Sequence, residues 1–103
     1  MTGWSPAFEF IFTSPQPNLY QSPDGFSVEV LGRTGLRYCE GGRQMFVDSE
    51  VLTGPSGMAV YKDTIQKWDP PNDKIPITVS DRDRILNNIR DAFRSQGFEI
   101  DVI

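Results

Sequence analysis

SDRDRILNNIRDAFRSQG at residues 80–97, running directly into FEIDVI at 98–103, decides the fold class. Ile85, Leu86, Ile89, Ala92 and Phe93 fall at i, i+1, i+4, i+7 and i+8, one apolar stripe at helical spacing. Ser80 is placed to cap the start, and Asp81 and Asp83 suit the positive end of the helix dipole. Arg90 and Arg94 suit the other end, and Gly97 suits the left-handed position that closes a helix. A helix is therefore expected over 81–96. FEIDVI then alternates, with Phe98, Ile100 and Val102 on one face and Glu99 and Asp101 on the other, as a strand does.

Upstream, the pattern changes to period two. FSVEVL at 26–31, LRYCE at 36–40, RQMFVDSEVL at 43–52 and MAVYKDTI at 58–65 read as strands, with TGPSG at 53–57 as a turn. Gly41-Gly42 between the second and third of them is a two-residue hairpin signal. That loop fixes a register: Glu40 faces Arg43, Cys39 faces Gln44, Tyr38 faces Met45 and Leu36 faces Val47. Leu36, Tyr38, Met45 and Val47 then share the core face. Arg37, Cys39, Gln44, Phe46, Asp48 and Glu50 take the other. Trp68-Asp69-Pro70-Pro71 ends regular pairing, because proline lacks a donor, and NDKIPITV crosses to the helix. The expected fold is α+β: an antiparallel meander of four to five strands, one C-terminal helix on one face, and a final strand. Its core is expected to hold Val28, Val30, Tyr38, Met45, Val47, Ile85, Ile89, Phe93, Phe98 and Ile100.

Residues 1–25 read as an irregular N-terminal arm, punctuated by Pro6, Pro15, Pro17 and Pro23, and residues 26–103 as a single domain. Within the arm, Phe8, Phe10 and Phe12 at period two allow a short strand. The opening MTGWSPAFEF lacks a basic region and carries Glu9, so no secretory signal is expected. No apolar run approaches the roughly 20 residues that span a bilayer.

Composition narrows the function. Ten basic residues against 14 acidic ones leave a net charge of −4. Nonspecific binding to nucleic acid or an anionic membrane needs a basic surface, so neither is an expected partner. A basic protein partner fits better. Histidine is absent and Cys39 is the single cysteine. Ser-His-Asp and Cys-His catalytic sets and Cys/His zinc sites are therefore excluded within the chain. Cys39 beside Glu40 has little to support a thiolate, and one cysteine forms no internal disulfide, which suits a reducing compartment. No phosphate-binding glycine loop occurs. No cofactor or metal is expected.

Three places remain. Asp48 and Glu50 lie two residues apart on one strand face, a spacing open to metal binding or acid–base work. A solvated face with cross-strand ion pairs to Arg37 and Arg43 is the simpler account. Between them stands a third reading: Arg37, Phe46, Asp48 and Glu50 form a partner-binding face, since an aromatic ringed by charges resembles an interface hot spot. Trp68 reads as a packing residue that ties its loop to the core. Arg82, Arg84, Arg90 and Arg94 might suggest a nucleic-acid stripe, but Asp81, Asp83 and Asp91 interrupt it and a solvated helix face accounts for it.

RYCEGGRQMFVDSEVLTGPSGMAVYKDTIQKWDPP and DRDRILNNIRDAFRSQGFEIDVI carry a family resemblance. Tyr38, the Glu40-Gly41-Gly42-Arg43 turn, Asp48-Ser49-Glu50, Gly54-Pro55 and Trp68 with its prolines are similar to a family of small bacterial immunity proteins of polymorphic toxin systems, the one numbered seventy-four. So are Arg84-Ile85, Asn88-Ile89 and Gly97-Phe98-Glu99-Ile100. The resemblance spans about residues 26–103. It implies a cytosolic antidote that binds and blocks a cognate toxin domain without catalysis of its own, and a basic nuclease is the first expectation for that toxin. It carries no binding residue over, so Arg37, Phe46, Asp48 and Glu50 rest on the strand-face argument alone. Two other classes stay open: a metal-binding enzyme domain built on Asp48 and Glu50, and an assembly domain that oligomerises through its sheet edge and arm.

Overall fold

The computed structural model describes residues 12–52 and 56–103. Seven strands among them form one sheet in sequence order: β1 (Thr13–Gln16), β2 (Leu19–Gln21), β3 (Phe26–Val30), β4 (Thr34–Glu40), β5 (Arg43–Val51), β6 (Ser56–Val60) and β7 (Glu99–Val102). Neighbours from β1 to β6 pair antiparallel. β7 pairs parallel with β6, because the helix α1 (Val79–Arg94) returns the chain to the same end before the last strand begins. The class is α+β, as the pattern predicts.

The Gly41-Gly42 turn sets the β4–β5 register that its length requires. Glu40 faces Arg43, Cys39 faces Gln44, Tyr38 faces Met45 and Leu36 faces Val47. The inner face so formed carries Val28, Leu36, Tyr38, Met45, Val47, Met58 and Val60, and α1 lays Ile85, Leu86, Ile89, Ala92 and Phe93 onto it. Trp68 and Ile65 complete the core from the connection between β6 and α1.

The helix starts earlier than expected. Thr78, not Ser80, is the N-cap: its hydroxyl accepts from the Asp81 amide and the Asp81 carboxylate accepts from the Thr78 amide, each at 3.0 Å. The Thr78 backbone N–H above all, then Arg84, lowers the Asp81 pKa to about 2. At the other end Gly97 takes φ +86°, the Gly97 amide donates to the Arg94 carbonyl and the Phe98 amide to the Phe93 carbonyl. That bond pair is a Schellman closure, and it requires a left-handed residue where Gly97 stands.

The same closure corrects one core assignment. Phe98 is 52% exposed, because it is the residue just after the helix stop and the strand begins only at Glu99. Its ring lies against Gly57, where an added Cβ would meet it at 3.0 Å. Val30 is half-buried and packs against the core rather than within it. Phe8 and Phe10 lie outside the described residues, as do 53–55 of the expected turn. Phe12 is described and meets Phe26 edge to face at 5.7 Å. Pairing beyond the sequence reading occurs at 13–21, where β1 and β2 add a hairpin to β3. The strand read over 58–65 ends at Val60, and Lys62–Thr64 forms a 3-10 turn.

Ile89 is fully buried at the centre of the helix–sheet contact. Ile89→Ala should lower unfolding free energy by about 2–5 kcal/mol in urea titration, from lost transfer energy plus the cavity left behind.

Candidate functional site

The outer face of β4 and β5 is built around a reversal in β4. Thr34 pairs with Glu50 and Leu36 with Val47, so one residue, Gly35, faces two. Thr34 therefore points outward and Leu36 inward. Gly35 makes the switch at φ +90°, a conformation side chains rarely adopt. Its amide donates to the buried Ser49 hydroxyl at 3.0 Å, which replaces the missing ladder bond. The Phe46 ring occupies the space above Gly35, where a Cβ would stand 2.6 Å from a ring carbon. Phe46 is thus seated on backbone, yet 51% of it remains exposed.

Around Phe46 the charges divide unevenly. Arg37, its direct cross-strand neighbour, is exposed and turns to Glu29 at 2.9 Å. Asp48 is half-buried, and its backbone is held at both ends. The Asp48 amide donates to Thr64 Oγ1 at 3.0 Å and its carbonyl accepts from the Tyr61 amide at 3.0 Å. Glu50 accepts a 3.0 Å bond from the Tyr61 hydroxyl, and that carboxylate raises the Tyr61 pKa. Neither Asp48 nor Glu50 pairs with a cation among the described residues. The four residues predicted for this face, Arg37, Phe46, Asp48 and Glu50, stand on it together. Tyr61 belongs with them. Sequence reading placed it inside a longer strand, and the signal that would have found it is the Thr64 hydroxyl, which donates to the Tyr61 carbonyl at 2.7 Å and turns the chain there.

Arg43 does not join them. Its guanidinium lies 4.8 Å above the Trp68 ring, and Trp68 stacks on Tyr38. Trp68 is buried in the packing role expected of it, and the Asp69 amide ties the loop to the Gln44 carbonyl at 2.7 Å. Beside this stack a polar network joins sheet to helix. Tyr38 Oη donates to Glu40 at 2.6 Å and accepts from Asn88 at 2.8 Å. Arg84 grips both Glu40 oxygens, at 3.2 and 2.9 Å, and reaches Asp81 at 2.8 Å. Burial first, then the Glu40 bond, holds the Tyr38 hydroxyl far above the phenol range, so it stays protonated. A shallow hollow lined by Asp24, Phe26, Glu40, Arg84 and Asn88 borders this network, but Glu40 is already saturated by its partners.

Chemistry of other kinds has little to build on. Among the described residues no group of three or more metal-ligating side chains gathers, Asp48 and Glu50 included. Cys39 is partly buried, and its thiol donates a long bond of 4.0 Å to Gln44 Oε1. No helix of the described residues is long and apolar enough to cross a membrane.

Residues 27–103 match the family model described as Immunity protein 74. No curated protein and no solved structure matches the chain. The family model takes in both the outer face and the Tyr38 network.

Gly35→Ala should lower stability by about 1–3 kcal/mol, from a strained φ and a displaced Phe46 ring. Urea unfolding measures the loss. Pairing Gly35→Ala with Phe46→Ala should recover the part due to the collision, and a double-mutant cycle separates the two.

Proposed function

The chain belongs to the Immunity protein 74 family, and on that premise we propose that it neutralises a cognate toxin domain by binding it stoichiometrically, with no turnover of its own. The observation that carries this reading is the outer face: a half-exposed Phe46 seated on Gly35, followed along β5 by two carboxylates that pair with no cation among the described residues. Aromatic anchors near the centre of an interface supply most of its affinity, and surrounding contacts mainly exclude water. Asp48 and Glu50 beside such an anchor favour a partner that presents Lys or Arg. The net charge of −4 acts in the same direction at longer range, by speeding encounter with a basic surface. A nuclease domain, basic because it holds nucleic acid, is the toxin class that fits these charges best, and the antidote then acts in the cytosol of the toxin-producing cell.

Arg37 has a part in this reading although Glu29 neutralises it. Its stem borders Phe46 across the strand pair, so it forms one wall of the anchor. Tyr61 holds Glu50 in place, which limits the ordering cost when a partner cation arrives.

Co-expression with the toxin domain encoded upstream should restore growth, and inhibition in vitro should reach completion at a fixed molar ratio. Protection far below equimolar protein would point to catalysis and overturn the reading. Raising salt should weaken the complex, because the charge contribution is screened over about 10 Å at 0.1 M. Phe46→Ala, or Asp48→Lys with Glu50→Lys, should each raise Kd by about tenfold or more. The melting temperature of these variants should stay within a few degrees of the parent, since Phe46 and Glu50 are exposed and Asp48 is only half-buried. Isothermal titration calorimetry and circular dichroism measure the two quantities separately.

A further inference from the structure

The two edges of the sheet differ. β1 carries Pro15 within it and breaks register with β2, two devices that blunt an edge against further pairing. β7 holds neither proline nor lysine and pairs regularly with β6 from Ile100 to Val102. Among the described residues no strand lies on its other side. The Ile103 amide bonds to the Val60 carbonyl at 2.9 Å, and its carbonyl accepts from Lys62 at 3.1 Å. Backbone groups of alternate residues point to opposite edges, so Ile100 and Val102 turn their N–H and C=O outward. Phe98 and Ile103 flank this row, 52% and 57% exposed.

Side chains beside the edge select what can pair there. Glu50 faces Ala59 across one ladder and Ala59 faces Asp101 across the next, so two carboxylates flank a small residue that is 1% exposed. Asp101 has no cation partner among the described residues, and Glu99 has only the exposed Arg94. A second copy of this chain is a poor occupant. Antiparallel pairing of Ile100 with Val102, or of Ile100 with itself, sets Asp101 against Asp101 or Glu99 of the other copy, and like charges directly opposite destabilise a pair. A strand with Lys or Arg at alternate positions meets the opposite condition.

We propose that the β7 edge takes an extended basic segment of a partner protein as an additional strand, with its cationic side chains along Asp101 and Glu99. The identity of that partner as the toxin rests on the proposed function; the edge chemistry does not. Asp101 and Glu50 lie in one row of the same face, so the added strand prolongs the surface centred on Phe46.

Two probes separate these claims. A short acetylated peptide of alternating lysine and valine should slow amide exchange at Ile100 and Val102 by about tenfold or more, while the Asp101 amide changes little. Its glutamate–valine counterpart should have no such effect, and Asp101→Lys (D101K) should reverse the preference. Val102→Pro removes one outward donor, a change an edge strand tolerates, and should abolish the added protection with the fold intact by circular dichroism. Unprotected Ile100 and Val102 amides at saturating peptide, equal effects of both peptides, or a dimer formed through this edge in sedimentation would overturn the proposal. With the toxin domain, V102P and D101K should each weaken binding about tenfold. Parental binding by both variants would overturn the edge site and leave toxin binding standing. Failure of the parent protein to bind any toxin domain would count against the proposed function alone, and the peptides would still decide the edge.

Discussion

A buried phenol needs partners for its hydroxyl, and the position of Tyr38 makes that need organise the molecule. Tyr38 sits in β4, the middle strand, fully enclosed between Phe26 and Trp68. An unsatisfied hydroxyl there would cost about 1–3 kcal/mol. Its two bonds go to different layers, to Glu40 on its own strand and to Asn88 on the helix. Arg84, one helical turn before Asn88, then binds Glu40 and the capping residue Asp81 together. A single hydroxyl thus fixes the rotation of α1 over the sheet, and the helix start is tied to the same cluster. Asp81 and Glu40 keep Arg84 firmly charged in return. The apolar stripe supplies the burial energy, but burial alone would accept many rotations.

Ion pairs gather where the sheet meets the helix: Glu40 binds Arg84 and Arg43, and Asp81 binds Arg84. On the outer face Glu29 binds Arg37, and Glu99 binds Arg94 at the end of the helix. On the outer sheet face Asp48, Glu50 and Asp101 have no cation partner among the described residues, and Phe46 precedes Asp48 and Glu50 along β5. A surface arranged only for solubility has no reason to hold an aromatic ring by a glycine fitted to its shape. Glycine takes the positive φ freely, and the ladder bond broken at Gly35 is replaced by the buried Ser49 hydroxyl.

Local periodicity made much of this legible. Two glycines fixed the β4–β5 register, and with it which of Arg37, Tyr38, Met45 and Phe46 face outward. The helix stripe and Gly97 were equally plain. The errors share a cause, since each depended on a bond between distant residues or on a contest between neighbours. Ser80 and Thr78 both qualify as caps, and only the reciprocal bond with Asp81 decides. Phe98 continues an apolar alternation, but the Schellman bonds claim it first. β1 and β2 have weak strand patterns and form because β3 offers them a partner. Tyr61 reaches Glu50 only because Thr64 bends the chain after β6, and Arg43 shares the face of Met45 and Val47 by strand alternation, where it meets Trp68. Which residues face outward was readable; what neighbours they find there was not.

The parallel pairing of β6 with β7 has a consequence in time. Every contact from β1 to β6 joins neighbouring segments, so each hairpin closes a short loop and forms early. β7 must wait until the whole stretch from Val60 to Glu99, helix included, has been drawn in. Closing a longer loop costs more entropy before any contact repays it, and such pairings are the slow ones. The last strand to arrive is therefore also an edge strand of the sheet. During synthesis, the meander and its Phe46 face can be assembled while the C-terminal edge is still emerging from the ribosome.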